Sequence, residues 1–578
     1  MLSTSETERS TPQRPLSTSS NHTTQVDGNN LPKGSHNPSS TSFQIVAEKS
    51  GAPTGDSTPS NEAEDGTEYP GKFALSFIVV ALILAIFLIA LDMTIVATAI
   101  PTITAQFKSL DQVGWYGSAF FLTVASFQST WGKAFKYFPL KTVFMLAIFV
   151  FEIGSLICAV ANNSTTLIVG RAIAGAGASG LTGGVYTIIG FSVPPQQRPA
   201  FTGILGATYG VASAIGPLLG GVFTDKVSWR WCFYINLPVG GISAAIILFF
   251  FTAPPASRPV KAPIREKLLQ MDLVGTFTIM AGVVSFLLAM QWGGTTKKWS
   301  DSTVIGTLVV FGLLVICFIV NEWWMGDRAL LPPRLFKTWN IRISSIYIFF
   351  FAGPFFVLIY YLPIYFQAIK HTSASDSGIR NLPFVLAVSI FSTLSGGLIA
   401  TFGHFSYLMV LGSIMLTVGS GLVYTFGLDT PSSTWIGYQI LAGIGGGLAL
   451  QIPVIISQAL VKSEDLSSAT AMILFIQTMG AAIWVSAAQT AFVNKLIKRL
   501  PEVAPRVNPV LVIKTGASEL HKVFSGKDLE GVLVAYGDGL KVTFIVCVAL
   551  AGVSVFAAAF IKPLNLNKLQ NKNTVGFA

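Results

Sequence analysis

The sequence predicts an all-α membrane protein that crosses a bilayer fourteen times. Three observations predict it. First, 51% of the 578 residues are apolar and only 11% are charged, whereas a soluble domain carries about 25% charged residues. Second, residues 73–91 form an uncharged run of nineteen residues, and about 20 helical residues span the hydrocarbon core. Third, similar runs recur to residue 561, without the roughly ten-residue alternating segments of a barrel strand. The same figures exclude a water-soluble chain and a disordered one, since disorder requires low hydrophobicity and high charge.

The elements follow in order. Residues 1–72 are rich in Ser, Thr, Pro, Asn and Gly and hold nine acidic and five basic residues. They read as a disordered cytoplasmic tail, and no apolar stretch before Phe73 suits a secretory signal. The fourteen spans read as 73–100, 114–131, 140–161, 164–190, 199–223, 230–252, 271–291, 302–321, 343–366, 379–402, 407–426, 434–459, 467–492 and 540–561. An even number puts both ends on one side. The even-numbered connections carry thirteen Lys and Arg, among them Lys133, Lys136, Arg198, Arg328, Arg334 and Lys462. The short odd-numbered ones carry seven. Cytoplasmic loops collect such residues, so the even connections and both termini are expected inside. The +10 net charge therefore reflects topology and not nucleic-acid binding. The long connection 493–539 is expected outside. So is the turn holding Asn162 and Asn163, which form two overlapping glycosylation sequons with Ser164 and Thr165.

Several chemistries are missing. The Gly-Lys pairs at Gly71, Gly132 and Gly526 are not followed by Ser or Thr, so no phosphate-cradling loop is present. The five histidines are scattered, and Cys158, Cys232, Cys317 and Cys547 stand far apart in apolar stretches. No metal or cofactor is expected, and the cysteines read as packing residues.

Charges inside spans are costly, at least about 2.5–3.5 kcal/mol at mid-bilayer, and mark sites of function by default. Three stand out: Asp92 in span 1, Glu152 in span 3 and Arg171 in span 4. A desolvated carboxyl can bind and release a proton near neutral pH, which suits Asp92. Arg171 stays charged when buried and can hold a carboxylate or a substrate oxygen. Glu152 suits packing and transport equally. Small residues at three- and four-residue spacing let helices approach closely. They fill span 4 from Gly170 to Gly180 and span 5 at Gly203, Gly206, Gly210, Gly216, Gly220 and Gly221. Pro217 removes a backbone hydrogen bond and bends span 5.

These residues carry a resemblance. Leu91-Asp92-Met93-Thr94-Ile95-Val96, Arg171 with Gly175, Gly216-Pro217-x-x-Gly220-Gly221, Trp229-Arg230-Trp231-Cys232-Phe233-Tyr234-Ile235-Asn236-Leu237-Pro238 and Tyr360-Tyr361-Leu362-Pro363-Ile364-Tyr365-Phe366-Gln367 run across spans 1–9. Together they resemble the fourteen-span drug:proton antiporter branch of the major facilitator superfamily, and within it the fungal toxin and multidrug efflux pumps. Gly132 to Lys141 departs from that pattern: Lys136 stands for the usual acid and Pro139 for the second glycine. These changes speak against the family's usual cytoplasmic charge latch. Ala174 and Ala212 also replace a common Gln and a signature glycine.

The resemblance implies a major facilitator fold: two six-helix halves, 73–252 and 343–561, two additional helices within 253–342, and a cytoplasmic tail at 562–578. It implies alternating access, no enzyme activity, and export of a hydrophobic small molecule in exchange for protons by a single chain in the plasma membrane. An uptake or vacuolar carrier for a siderophore or basic amino acid is the nearest alternative. A membrane receptor or lipid-handling enzyme is the alternative of another class.

Overall fold

The structure is a computed structural model that describes residues 69–107, 112–566 and 568. The chain divides into two units, 1–59 and 60–578, and every described residue lies in the second. Most of the predicted N-terminal tail falls outside the described residues, as does most of the C-terminal one.

The described chain is helical: α1 (Lys72–Phe107), α2 (Val113–Tyr137), α3 (Leu140–Ala159), α4 (Ser164–Ser192), α5 (Arg198–Lys226), α6 (Trp231–Tyr234), α7 (Asn236–Phe250), α8 (Ile264–Leu269), α9 (Leu273–Trp292), α10 (Ser302–Met325), α11 (Trp339–Ala368), α12 (Ala374–Arg380), α13 (Leu382–Phe402), α14 (Ser406–Tyr424), α15 (Ser432–Ala449), α16 (Ile452–Ala459), α17 (Leu466–Val503), α18 (Pro509–Lys514), α19 (Leu520–Val523) and α20 (Gly526–Ala559). Among the described residues, thirteen helical stretches are long and apolar enough to cross a membrane. The fourteenth expected span is α2, equally long but rich in Ser, Thr and Gln. Helices suit this environment because each satisfies its own backbone. Their ends carry local signals. Asn163 caps α4 by accepting from the Thr166 N–H at 2.8 Å, Asp272 caps α9 through Gly275 N–H at 2.9 Å, and Asp301 caps α10 through Thr303 N–H at 2.8 Å. Gly403, at φ +70°, closes α13.

α1 packs on α5 and α7, while α4 lies between α2 and α3. Glycine sets the last contacts: a Cβ at Gly154 would run into the Ala174 backbone, and one at Gly177 into that of Phe151. The later half repeats the device, with Gly419 against Ala442 and Gly445 against Leu416 where α14 meets α15. The two sets of spans meet along two seams, α5 with α13 and α2 with α17. α9 lies on both α2 and α17, and α10 packs on α9. The additional pair therefore sits beside one seam. α10 turns Asn321 and Glu322 inward, toward Asp272 and the Leu331 N–H, and leaves Trp323 and Trp324 about four-fifths exposed, 81% and 80%.

The connection 493–539 is shorter than its sequence suggests. α17 continues to Val503 and α20 starts at Gly526, so helical ends occupy much of it. Polar residues such as Lys495, Lys498 and Arg499 hid this continuation, because span reading stops where charge begins.

Candidate functional site

A sealed polar cluster joins five elements of the first half. Asp92 projects from α1 and Arg171 from α4; they form an ion pair with side-chain exposures of 0% and 1%. Arg171 also donates from Nε to the Tyr116 carbonyl at 3.0 Å, and its guanidinium lies 4.3 Å from the Phe120 ring centroid. The interruption of the helix at Ile235, between α6 and α7, delivers Asn236 to the same place. Its Nδ2 donates to Asp92 Oδ1 at 3.0 Å and to Ser155 Oγ of α3 at 3.1 Å. A buried ion pair stands only when its remaining hydrogen-bonding capacity is met, and Tyr116 and Asn236 meet much of it here. Sequence reasoning singled out Asp92 and Arg171 as separate charges; the structure brings them into contact. In the sequence Asn236 stands out only as part of the Trp229 to Pro238 motif. A lone amide inside an aromatic stretch was its signal.

Glu152 lies one turn before Ser155 on α3. Both of its carboxyl oxygens are buried, and among the described residues neither has a hydrogen-bond partner. It faces Gly240 of α7, where a Cβ would overlap its Oε1. The structure thus sets Glu152 apart from the Asp92–Arg171 pair, with no hydrogen bond between them.

The α5 glycines divide by neighbour. Gly203, Gly206 and Gly210 face α13 or Gln451 across the seam: a Cβ at each would meet the Ser392 carbonyl, Ser392 Oγ or Ser389 Oγ. Ser389 and Ser392 donate to the carbonyls of Ala207 and Gly203, at 3.0 and 3.2 Å. Gly216 and Gly220 instead face Thr94, Ile95 and Thr98 of α1. Gly221 faces Ser375, at the edge of α12. Pro217 sits between these last contacts, inside α5.

At the end rich in Lys and Arg, a charge network crosses the other seam. Lys136 Nζ of α2 lies 2.7 Å from Asp465 Oδ1 at the head of α17. Arg334 grips the same carboxylate with two bonds of 2.5 Å and reaches Asp327 at 2.8 Å. Lys133 donates to the Asp327 carbonyl at 2.6 Å. A charge contact thus crosses this seam with Lys136 in place of the usual acid: the cation comes from α2 and the anion from the head of α17. Nearby, Tyr186 donates to Gln451 Oε1 at 3.1 Å, and Gln458 donates to the Tyr186 carbonyl at 3.1 Å. Neither glutamine was singled out from sequence, because both act through contacts more than 260 residues away in the chain.

Asn162 and Asn163 are exposed in the turn between α3 and α4. Asn163 uses its side-chain oxygen as the α4 cap. The four cysteines are free thiols, and Cys317 alone among them is exposed, on α10.

Two packed sets of helices, meeting along small-residue seams with buried charges in one set, define a polytopic membrane carrier. Residues 82–485 match the Major Facilitator Superfamily, and the chain belongs to that family. It is 50% identical over 511 residues to the MFS-type transporter grgE of a Penicillium species, covering 88% of this chain and 90% of that one. It is 43% identical over 505 residues to the efflux pump bfoC of Aspergillus brasiliensis, covering 87% and 89%. Among solved structures, the proton:xylose symporter XylE bound to 6-bromo-6-deoxy-D-glucose has a TM-score of 0.57 at 11% identity, covering 86% of this chain and 99% of that one. That likeness concerns the fold. The chain is a multi-pass membrane transporter for a small molecule and not an enzyme.

Proposed function

We propose that this transporter exports a hydrophobic small molecule, a secondary metabolite, toxin or drug, in exchange for protons. The observation that carries the proton part is the sealed Asp92–Arg171 pair beside the unpartnered Glu152. Ionisable groups held this deep in a membrane carrier suit a proton relay. The export direction is supported by efflux pumps among the relatives. The apolar cargo is supported by rings that meet between the first-half helices and α11: Phe121 with Tyr360 and Tyr209 with Phe356, each at 6.2 Å between centroids. Transport then proceeds by rocking of the halves along the α5–α13 and α2–α17 seams. We assign the working unit as one chain, the membrane as the plasma membrane, and Asn162 as the more accessible sequon, since Asn163 is engaged as a cap.

The test is export by the purified full chain in proteoliposomes with an imposed pH gradient and no nucleotide. Ethidium is the probe. Accumulation against its gradient, abolished by a protonophore, is the expected result. A requirement for nucleotide, or indifference to the pH gradient, would overturn the antiport reading.

A further inference from the structure

The two carboxyl groups of the cluster differ in one respect. Both oxygens of Asp92 are engaged, Oδ2 by Arg171 and Oδ1 by Asn236. Protonating Asp92 would strand a guanidinium that is 1% exposed, so the pair is stable as it stands. The oxygens of Glu152 are equally enclosed and engage nothing. A carboxylate without hydrogen-bond donors is far more costly than a neutral acid in the same place. The niche suits the carboxylic acid.

We propose that Glu152, and not Asp92, takes up and gives back the exchanged proton, in a niche that Gly240 keeps open. This rests on the antiport reading and deepens it by dividing the work. Asp92 and Arg171 form the fixed pair that ties α1 to α4. Glu152 is the titrating member; it stands one turn from Ser155 on α3, and Ser155 accepts from the Asn236 amide that also bonds Asp92.

The surroundings leave no other partner for it. α3 packs against α2, α4, α6 and α7. On α2, Lys133 and Lys136 are spent on Asp327 and Asp465, Tyr116 donates to Ser164, and Tyr137 lies at the helix end. On α4, Arg171 serves Asp92 and Tyr186 serves Gln451. α6 offers Cys232 and Tyr234, and α7 contains no ionisable residue. α3's own Lys141 bonds the Leu248 and Phe251 carbonyls, and its Cys158 bonds the Leu167 carbonyl. α1 contributes Asp92, so a deprotonated Glu152 would add a second carboxylate charge to a cluster whose one guanidinium is already engaged by Asp92. Uptake forms one O–H bond on a Glu152 oxygen; release breaks it and hands the proton to a water molecule that reaches the niche. No other reactant is needed.

Glu152→Gln keeps the shape and fixes the neutral state. In proteoliposomes it is expected to equilibrate ethidium down its gradient as the wild type does, yet to lose accumulation driven by the pH gradient. An infrared carboxylic C=O band that titrates in the wild type should be missing from Glu152→Gln and present in Asp92→Asn. Accumulation in Glu152→Gln at the wild-type level would overturn this inference and leave the antiport reading intact. Failure of the wild type to respond to the pH gradient would instead overturn the antiport reading itself. If Glu152→Gln does not fold, Gly240→Ala decides. Its methyl intrudes on the carboxyl and should move the pH midpoint of transport by about one unit, a tenfold change in proton affinity. An unchanged midpoint in a folded Gly240→Ala, with no titrating band in the wild type, overturns the proposal.

Discussion

Lys136 and Asp465 are 329 positions apart in the chain, and their charged atoms are 2.7 Å apart. This contact joins α2 to α17, and Arg334 doubles it from the segment that leads into α11. Asp465 is the hub, because two cations depend on it and each has only partial alternatives.

Asp465→Asn should therefore weaken closure at this end more than Lys136→Gln does. Charge-assisted bonds are worth about 1.5–3 kcal/mol each, and the asparagine weakens those to both cations while the glutamine removes one. Thermal unfolding in detergent and labelling of cysteines introduced beside the seam measure the order. The swap of Lys136→Asp with Asp465→Lys should fail to restore stability, because Arg334 would then face a lysine. Full rescue by the swap would show that Arg334 contributes nothing.

Arg171→Ala should destabilise the protein by about 3–5 kcal/mol, the usual penalty for a buried charge left without its partner. Arg171→Lys should reach the membrane yet export poorly. A lysine keeps the charge but lacks the fork that serves Asp92 and the Tyr116 carbonyl together, and it does not stack on Phe120 as a planar group does. A double mutant removing both Asp92 and Arg171 should be more stable than Arg171→Ala alone. Efflux and thermal stability of the three proteins check this. Wild-type efflux from Arg171→Lys would remove Arg171 from the mechanism.

Neighbouring signature glycines should respond differently. A Cβ at Gly220 would press on the Ile95 carbonyl and Thr98 Oγ1. Backbone cannot swing aside, so Gly220→Ala should cost about 1–3 kcal/mol as overpacking. At Gly221 the nearest atom is Ser375 Oγ at 3.0 Å, which a side-chain rotation relieves. Gly221→Ala should fold and export nearly as the wild type does. Surface expression and dye efflux compare the two.

Removal of residues 1–65 should leave surface level and efflux largely intact, since that segment offers no apolar face to bury. Retention of the truncated protein inside the cell would refute the expectation.

Much of the fold was legible because membrane spans announce themselves by uninterrupted apolar length. α2 was legible only as one of a series, since its Ser, Thr and Gln lower its hydropathy; they turn toward neighbours, as Thr130 does toward Thr276 and Gln128 toward the Ser179 carbonyl. The overrun of α17 and α20 was hidden for the opposite reason, as a helix continues past the point where its charges begin. In the site, Asp92 and Arg171 could be read because charge is anomalous inside a span. Their pairing could not, since periodicity does not say which helices touch. Asp465 was invisible as a partner: an acid in a polar connection looks like a solvated residue until Lys136 and Arg334 are placed on it.

Trp323 and Trp324 give the additional helix pair a further consequence. Indoles favour the boundary between headgroups and acyl chains, and these two stand outward at the end of α10 that lies next to the Asp465 network. Placed at that boundary, they would moor the hairpin at a set depth. In the rocking motion proposed above, the hairpin beside the seam would then act as a keel held by the lipid, and the depth of the bilayer boundary would help set where the carrier closes.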